Sequence, residues 1–211
     1  MKLVFATTNK GKLSELASLV AGLPIQVLSL KDVEAVHVEE DQETLEGNAA
    51  KKARVYCERT GLTTLADDTG LCVDALGGAP GVRSARYGGL QDDAVLGDAE
   101  VRYRANNRKL LQALAKVPLE ERTARFCCAL CLARPGEAPL IVKGECEGRI
   151  GLAARGANGF GYDPLFDLPQ LGKTFAELSA EEKNRLSHRA RAFQALRPHL
   201  TRIAGQTNPK P

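Results

Sequence analysis

No run of this 211-residue chain approaches the roughly 18–20 apolar residues of a membrane-spanning helix. The opening MKLVFATTN is too brief for the apolar core of a secretion signal and reads as a strand. The expectation is a soluble, cytoplasmic protein with no membrane partner. Neither sign of charge dominates. The 29 Lys and Arg against 26 Asp and Glu leave a formal +3, which demands neither nucleic acid nor an anionic surface as partner. Internal repeats are missing, and so is the G-x-x-x-x-G-K-[ST] spacing of a Walker loop. Six cysteines are present, but no second CxxC and no nearby His pair completes a zinc site. Hydrophobic residues make up 44% of the chain, ample for the core of one generous domain or two joined lobes.

The apolar pattern predicts the elements. KLVFAT is a buried strand, and KGKLSELASLVAGL has helical spacing ended by Gly22 and Pro24. IQVLSL is a second strand, TLEGNAAKKARVYCERTG a helix stopped by Gly61, and TTLADD and GLCVDA are short strands flanking an acidic pair. A helix over GDAEVRYRANNRKLLQALAKV precedes a long hairpin, ARFCCALCLARPGEAPLIVKGECEGRIG, turning at Pro135-Gly136. GANGFGYDPLF is a glycine-rich loop, SAEEKNRLSHRARAFQALRPHL a final helix with Ser179 and Glu182 at capping-box spacing, and AGQTNPKP a frayed tail. This order indicates an α/β protein with a mixed sheet. Within RFCCALCLA, alternation puts Cys127 and Cys131 on one face and Cys128 on the other. Core packing is the favoured use of these thiols, and a redox pair at Cys128 and Cys131 is the alternative.

Several segments carry candidate chemistry. ATTNKGK turns from a strand into a helix whose first N–H groups attract anions, with Thr7, Asn9, Lys10 and Lys12 around them; an ordinary N-cap with solvated lysines reads equally well. Glu39, Glu40, Asp41 and Glu43 precede a helix, where they suit its dipole or, alternatively, a hard cation. Lys52 follows, with Asn48 one turn earlier on the same face. The adjacent carboxylates Asp67 and Asp68 repel unless cations or donors offset them. At a strand end they suit a magnesium and water site, against a bland reading as solvated turn residues. Arg83, Ser84 and Arg86 lie in a loop able to close over phosphates, and Phe160 offers a ring for stacking on a base unless it is simply buried. Lys183 and Ser187 share a helix face, with His188 and Arg189 beside them.

Together, TTNKGK, GNAAKKA, ADDTGLCVDALGGAPGVRSARY, GFGYDPLF and SHRARAF resemble the motif series of the inosine triphosphate pyrophosphatase family, the Ham1-like enzymes. The motifs stand in family order from residue 3 to about residue 200. The resemblance implies an elongated mixed sheet with flanking helices, two lobes enclosing a central active-site cleft, and a homodimer. It implies one domain over residues 1–203, leaving 204–211 as a flexible tail. The implied activity is Mg2+-dependent hydrolysis of ITP, dITP and XTP to monophosphate and pyrophosphate, which clears non-standard purines from the nucleotide pool. Asp68 is then the catalytic base and a metal ligand, and Glu40 the metal-binding glutamate, with Glu39 and Asp67 as the neighbouring candidates. Thr7, Thr8, Asn9, Lys10, Gly11, Lys12 and Lys52 would bind the triphosphate, joined by Thr69, Ser84 and Arg86. Phe160 would stack on the base, Gly161, Tyr162 and Asp163 would line its pocket, and Lys183, His188 and Arg189 would complete recognition, Arg189 as a donor toward O6.

Thr8 stands where the family often has glycine, and Gly47 replaces the common glutamate of its ENA motif. Competing readings are a Maf-like pyrimidine enzyme, against which GFGYDP and SHR argue, a nucleotide sensor without turnover, and a redox protein built on CCALC.

Overall fold

The apolar run after Met1 forms strand β1 (Lys2–Phe5), in which Leu3, Val4 and Phe5 are wholly buried, as in a strand covered on both faces. The computed structural model describes residues 1–34, 36–89 and 99–206. The further elements are α1 (Lys10–Val20), β2 (Gln26–Leu28), α2 (Leu45–Thr60), β3 (Thr64–Val73), β4 (Pro80–Gly81), α3 (Ala99–Ala113), β5 (Thr123–Ala133), β6 (Leu140–Ile150), β7 (Phe166–Leu168), β8 (Lys173–Thr174), α4 (Ala180–Leu186) and α5 (His188–Gln206). The strands form a mixed sheet in the order β2-β1-β3-β5-β6-β7-β8, with β4 on β3. β1 is parallel to β2 and β3; β4 on β3, β7 on β6 and β8 on β7 are antiparallel. The chain divides into two compact units, Thr69–Cys127 with Glu145–Ser187 forming the second and the rest of the described residues the first.

In the first unit the sheet is covered on both faces, and side chains alternate between them along each strand. Leu3, Phe5, Leu65, Cys128, Leu130 and Leu132 pack with Leu16 and Val20 of α1 and Phe193, Leu196 and Leu200 of α5. On the other face Ala66, Ala129, Cys131 and Ala133 meet Ala49, Ala53, Tyr56 and Cys57 of α2, a contact built almost entirely from small side chains. Asn9 caps α1 by accepting from Gly11 N and Lys12 N, and Thr44 caps α2 by accepting from Gly47 N. Gly61 ends α2 at φ 65°, a left-handed position that suits glycine.

The second unit has its own core. Leu71, Val73, Ala124, Phe126, Cys146 and Ile150 of the strands pack with Leu110 and Leu114, and the rings of Phe126, Phe166 and Phe175 cluster with centroids 4.6–5.7 Å apart. The buried Arg122 guanidinium donates to the carbonyls of Leu114 and Val117, at 2.8 and 2.9 Å, and so satisfies acceptors beyond the C-terminus of α3.

Several expectations change. The two short strands around the acidic pair are one continuous β3, because Asp67 and Asp68 keep extended backbone within it. The final helix is two: Ser187 adopts φ −69°, ψ 158°, closing α4 before α5 starts at His188. The Ser179–Glu182 capping box forms as its spacing implies. The loop over 156–166 runs into β7, followed by β8, neither foreseen. Residues 204–206, assigned to the tail, are the last turn of α5, with Ala204 buried. The helix start at Gly97 and the tail residues 207–211 lie outside the described residues. Cys128 and Cys131 belong to opposite faces, packing with Leu130 and Ala129 respectively, so they form no CxxC pair.

A Cβ at Gly144 of β6 would fall on the His188 carbonyl and the Ala192 amide of α5. Gly144→Ala is therefore expected to destabilise the protein by about 1–3 kcal/mol, read as a lower urea midpoint. An unchanged midpoint would contradict this close approach of α5 to β6.

Candidate active site

The two carboxylates of the acidic pair leave opposite faces of β3, because successive strand residues alternate. Asp67 shares its side with Leu65 and so faces α1 and α5; Asp68 shares its side with Ala66 and faces α2. This alternation gives neighbouring residues of one type two different environments.

Asp67 is 0% exposed. Arg189 Nε donates to its Oδ2 at 2.8 Å, the Lys12 ammonium pairs with Oδ1, and the Cys128 thiol donates to Oδ2 at 3.4 Å. Burial pushes the Asp67 carboxyl up, but the Arg189 and Lys12 charges outweigh it and hold it far below the ordinary carboxylate range. Arg189, itself 1% exposed, also pairs through Nη1 with Glu15 of α1. Lys12 and Glu15 are three apart on one helix face, so a single face of α1 supplies both charges. Despite its burial, Lys12 holds its proton more firmly than an ordinary lysine because Asp67 lies against it.

Asp68 is 6% exposed. Asn48 Nδ2 donates to its Oδ2 at 3.0 Å, and Lys52 Nζ lies 3.8 Å from Oδ1. Burial raises the Asp68 carboxyl above the ordinary range, with Lys52 and Lys12 opposing and Glu40 adding to the rise. Lys52 Nζ also donates to Glu40 Oε1 at 2.5 Å and to the Asp67 carbonyl at 2.7 Å. Asn48, Lys52 and Tyr56 recur every four residues along one face of α2 and hold the segment before it. Asn48 Oδ1 accepts from Gln42 N at 3.0 Å, Lys52 takes Glu40, and the Tyr56 hydroxyl donates to the Val36 carbonyl at 2.6 Å. Glu39 is exposed, whereas Glu40 is half-buried.

At the start of α1, Asn9 Oδ1 already accepts from Gly11 N at 2.9 Å and Lys12 N at 3.2 Å, and Thr7 Oγ1 accepts from Asn9 N at 3.1 Å. An anion reaches those N–H groups only by displacing the Asn9 carbonyl. Thr8 and Lys10 are exposed. His188, at the first position of α5, is buried.

In the second unit, Phe160 is half-buried rather than fully exposed, with Lys183 Nζ 4.7 Å from its ring centroid. Asp163 Oδ2 accepts from Lys183 Nζ at 2.5 Å and from Phe160 N at 2.8 Å, so one buried carboxylate fixes both ring and ammonium. A Cβ at Gly159 would collide with that carboxylate, and the residue sits at φ 74°. Asn107 Nδ2 on α3 donates to the Gly161 carbonyl at 3.0 Å, and the Tyr103 ring, one turn earlier, lies 6.3 Å from that of Phe160. Thr69 is half-buried and Arg86 exposed.

The sequence profile of the Ham1 family matches residues 3–199 of this chain. The chain belongs to the Ham1 family. It is 50% identical over 202 residues to a protein of Geobacter sulfurreducens named dITP/XTP pyrophosphatase, covering 94% of this chain and 96% of that one. A protein of the same name from Listeria monocytogenes is 45% identical, covering 99% of each. The solved structure of a Ham1 protein from Coxiella burnetii superposes with a TM-score of 0.83 at 38% identity, over 96% of this chain and 99% of that one. A Ham1 protein from Staphylococcus aureus gives 0.81 at 34% identity, over 98% and 100%.

The structure gives several residues carried over from the Ham1 motifs partners of their own. Asp67 and Glu15 hold the Arg189 guanidinium in the interior. The Ser84 hydroxyl is used on backbone, accepting from Leu71 N at 2.8 Å and donating to the Gly81 carbonyl at 2.6 Å. The Tyr162 hydroxyl donates to the Ser84 carbonyl at 2.9 Å, and burial raises its pKa. Asp67, one of the metal candidates, is occupied by Arg189 and Lys12. Glu15, Tyr56, Tyr103 and Asn107 were not singled out from sequence; spacings of three or four from Lys12, Lys52 and one another were the available signal.

Asp67→Asn removes the charge that answers buried Arg189 and is expected to cost about 3–5 kcal/mol in chemical denaturation. Ser84→Ala strips a partner from the buried Leu71 N–H and is expected to cost about 1–3 kcal/mol while leaving nucleotide KM unchanged. A raised KM with unaltered stability would restore Ser84 as a ligand.

Proposed function

We propose that this chain hydrolyses dITP, ITP and XTP between the α- and β-phosphates, releasing the nucleoside monophosphate and pyrophosphate. The observation that carries this reading is Asp68, a buried carboxylate fixed by Asn48 and set among Lys52, Lys12 and Glu40. A carboxyl made more basic by burial, beside ammonium groups, suits attack on a polyanionic phosphate chain. The names of the Geobacter and Listeria relatives agree with it.

Glu40 Oε1 and Asp68 Oδ1 come from separate segments and face one positive charge, the Lys52 ammonium, at 2.5 and 3.8 Å. Paired carboxylate oxygens of this kind fit Mg2+, which takes one or two carboxylates plus substrate phosphates. Among the described residues no group of three or more His, Cys, Asp or Glu could hold a metal, so water and phosphate would complete such a shell. Bound there, Mg2+ would supply neutralisation of charge on the phosphate oxygens. Asp68 orients a water and accepts its proton as the water oxygen bonds to the α-phosphorus and the bond to the bridging oxygen breaks. Lys52 and Lys12 offset the charge on the phosphates and the departing pyrophosphate. Positioning and electrostatics supply most of the acceleration in such transfers. Thr7–Lys12, with the Asn9 side chain turned aside, line the phosphate path from the α1 side.

Base recognition is assigned to the segment around Phe160. Phe160 stacks on the purine, and Lys183, the ammonium over that ring, joins Arg189 as a donor toward O6. Adenine presents an amino donor at that position, leaving donor against donor, a strong source of rejection. Asp163 keeps Lys183 in place. The same reading makes the protein one functional domain, a homodimer acting on free nucleotides in the cytoplasm. Among the described residues no helix is long and apolar enough to cross a membrane.

Product analysis tests the reaction: with Mg2+ and a panel of dITP, XTP, dATP and dTTP, pyrophosphate is expected, strongest for the first two. Orthophosphate release or a dTTP preference would overturn the assignment. Asp68→Asn is expected to lower kcat by about 10²–10⁴-fold without refolding the site, checked by an unchanged circular dichroism spectrum. Phe160→Ala is expected to weaken substrate binding by about 1–3 kcal/mol, seen in KM more than in kcat.

A further inference from the structure

Two of the six cysteines differ from the rest. Cys57, Cys128, Cys131 and Cys146 are buried, whereas Cys72 and Cys127 are half-buried. Cys72 lies on β3 and Cys127 on β5, which are neighbours in the sheet. Leu71 and Val73 on either side of Cys72, and Phe126 before Cys127, point into the core of the second unit, so alternation turns both thiols to the opposite, partly open face. Neighbouring strands and a shared face bring the two side chains together there, and the thiols interact.

The charges on this face favour one thiolate of the pair. Arg125, two residues before Cys127 on β5, stabilises a negative Cys72, opposed by Glu145 and Asp74. Asp74 is itself engaged by Arg125 Nη1 at 3.1 Å and by the Thr123 hydroxyl at 2.7 Å. The hydrogen bond from Cys127, with Arg125, outweighs burial and brings the Cys72 thiol down to about 7, while Cys127 is held well above an ordinary thiol. A thiolate with a second thiol in contact is the arrangement of an attacking and a resolving cysteine.

We propose that Cys72 and Cys127 are a modification site, an oxidant-reactive dithiol that hydroperoxides close to a reversible disulfide between β3 and β5. The Cys72 thiolate attacks one peroxide oxygen, the O–O bond breaks, and the departing hydroxide takes a proton, leaving a sulfenic acid at Cys72 and one water. The Cys127 sulfur then attacks the Cys72 sulfur, gives up its proton and expels hydroxide, which leaves as a second water. The balance is two thiols and one hydrogen peroxide to one disulfide and two waters. None of the groups assigned to phosphate or base recognition takes part, so this proposal and the pyrophosphatase reading stand or fall separately.

The test treats reduced, full-length protein with hydrogen peroxide and maps the product by mass spectrometry without reductant. The expected result is a loss of two hydrogens from the intact monomer, a Cys72 peptide joined to a Cys127 peptide, and reversal by dithiothreitol. Cys127→Ser is expected to stop at the sulfenic acid, captured by dimedone at Cys72, and Cys72→Ser to lose that label. An unchanged mass, a link between other cysteines, or dimedone capture elsewhere would overturn the proposal. The wild-type map decides by itself should either variant fail to fold.

Discussion

The carboxylate of Asp67, removed from water in the middle of a strand, is the constraint on which the first unit depends. A buried charge is tolerated only when opposite charge and hydrogen bonds replace its hydration. Here the replacement comes from Lys12 at the start of α1 and Arg189 at the start of α5, so satisfying one side chain ties two helix N-termini to β3. Glu15 then answers the second half of the Arg189 guanidinium, and the network closes on α1, where it began.

Asp68 shows how little sequence distance matters beside direction. One residue further along β3 it points to the opposite face, meets Asn48 and Lys52 in place of Arg189, and titrates above the ordinary range while Asp67 titrates below it. The small-residue packing of α2 brings these partners close: Ala49 and Ala53 lie against Ala66 and Ala129, and bulkier side chains there would hold α2 off the strand. The same helix steadies the acidic segment before it through Asn48, Lys52 and Tyr56, so the position of Glu40 follows from the register of α2.

The second unit repeats this logic with a different purpose. Asp163 is buried with Lys183, and the pair fixes Phe160 from its backbone amide and from above its ring. An aromatic ring between glycines needs such a tether, because Gly159 and Gly161 leave the backbone unusually free. Asn107 adds a second one, from α3 to the Gly161 carbonyl.

Much of this was determined by the sequence alone. Apolar runs marked β1, β5 and β6, glycine and cap residues marked the ends of α1 and α2 and the start of α4, and the ordered motifs marked the Ham1 family, because all of these are local in the chain. Four-residue spacing also placed Asn48 beside Lys52. Tertiary structure decided which partners the polar groups take within the protein. Ser84, Tyr162 and Arg189 have the right chemistry for binding phosphate or base, yet each is used on a backbone group or a buried charge brought in from distant sequence. It also decided that Cys72 meets Cys127, a pairing that follows from β3 and β5 lying side by side. Composition and spacing fix what a side chain is able to do, and only the long-range pairing of strands and helices fixes what it is left to do.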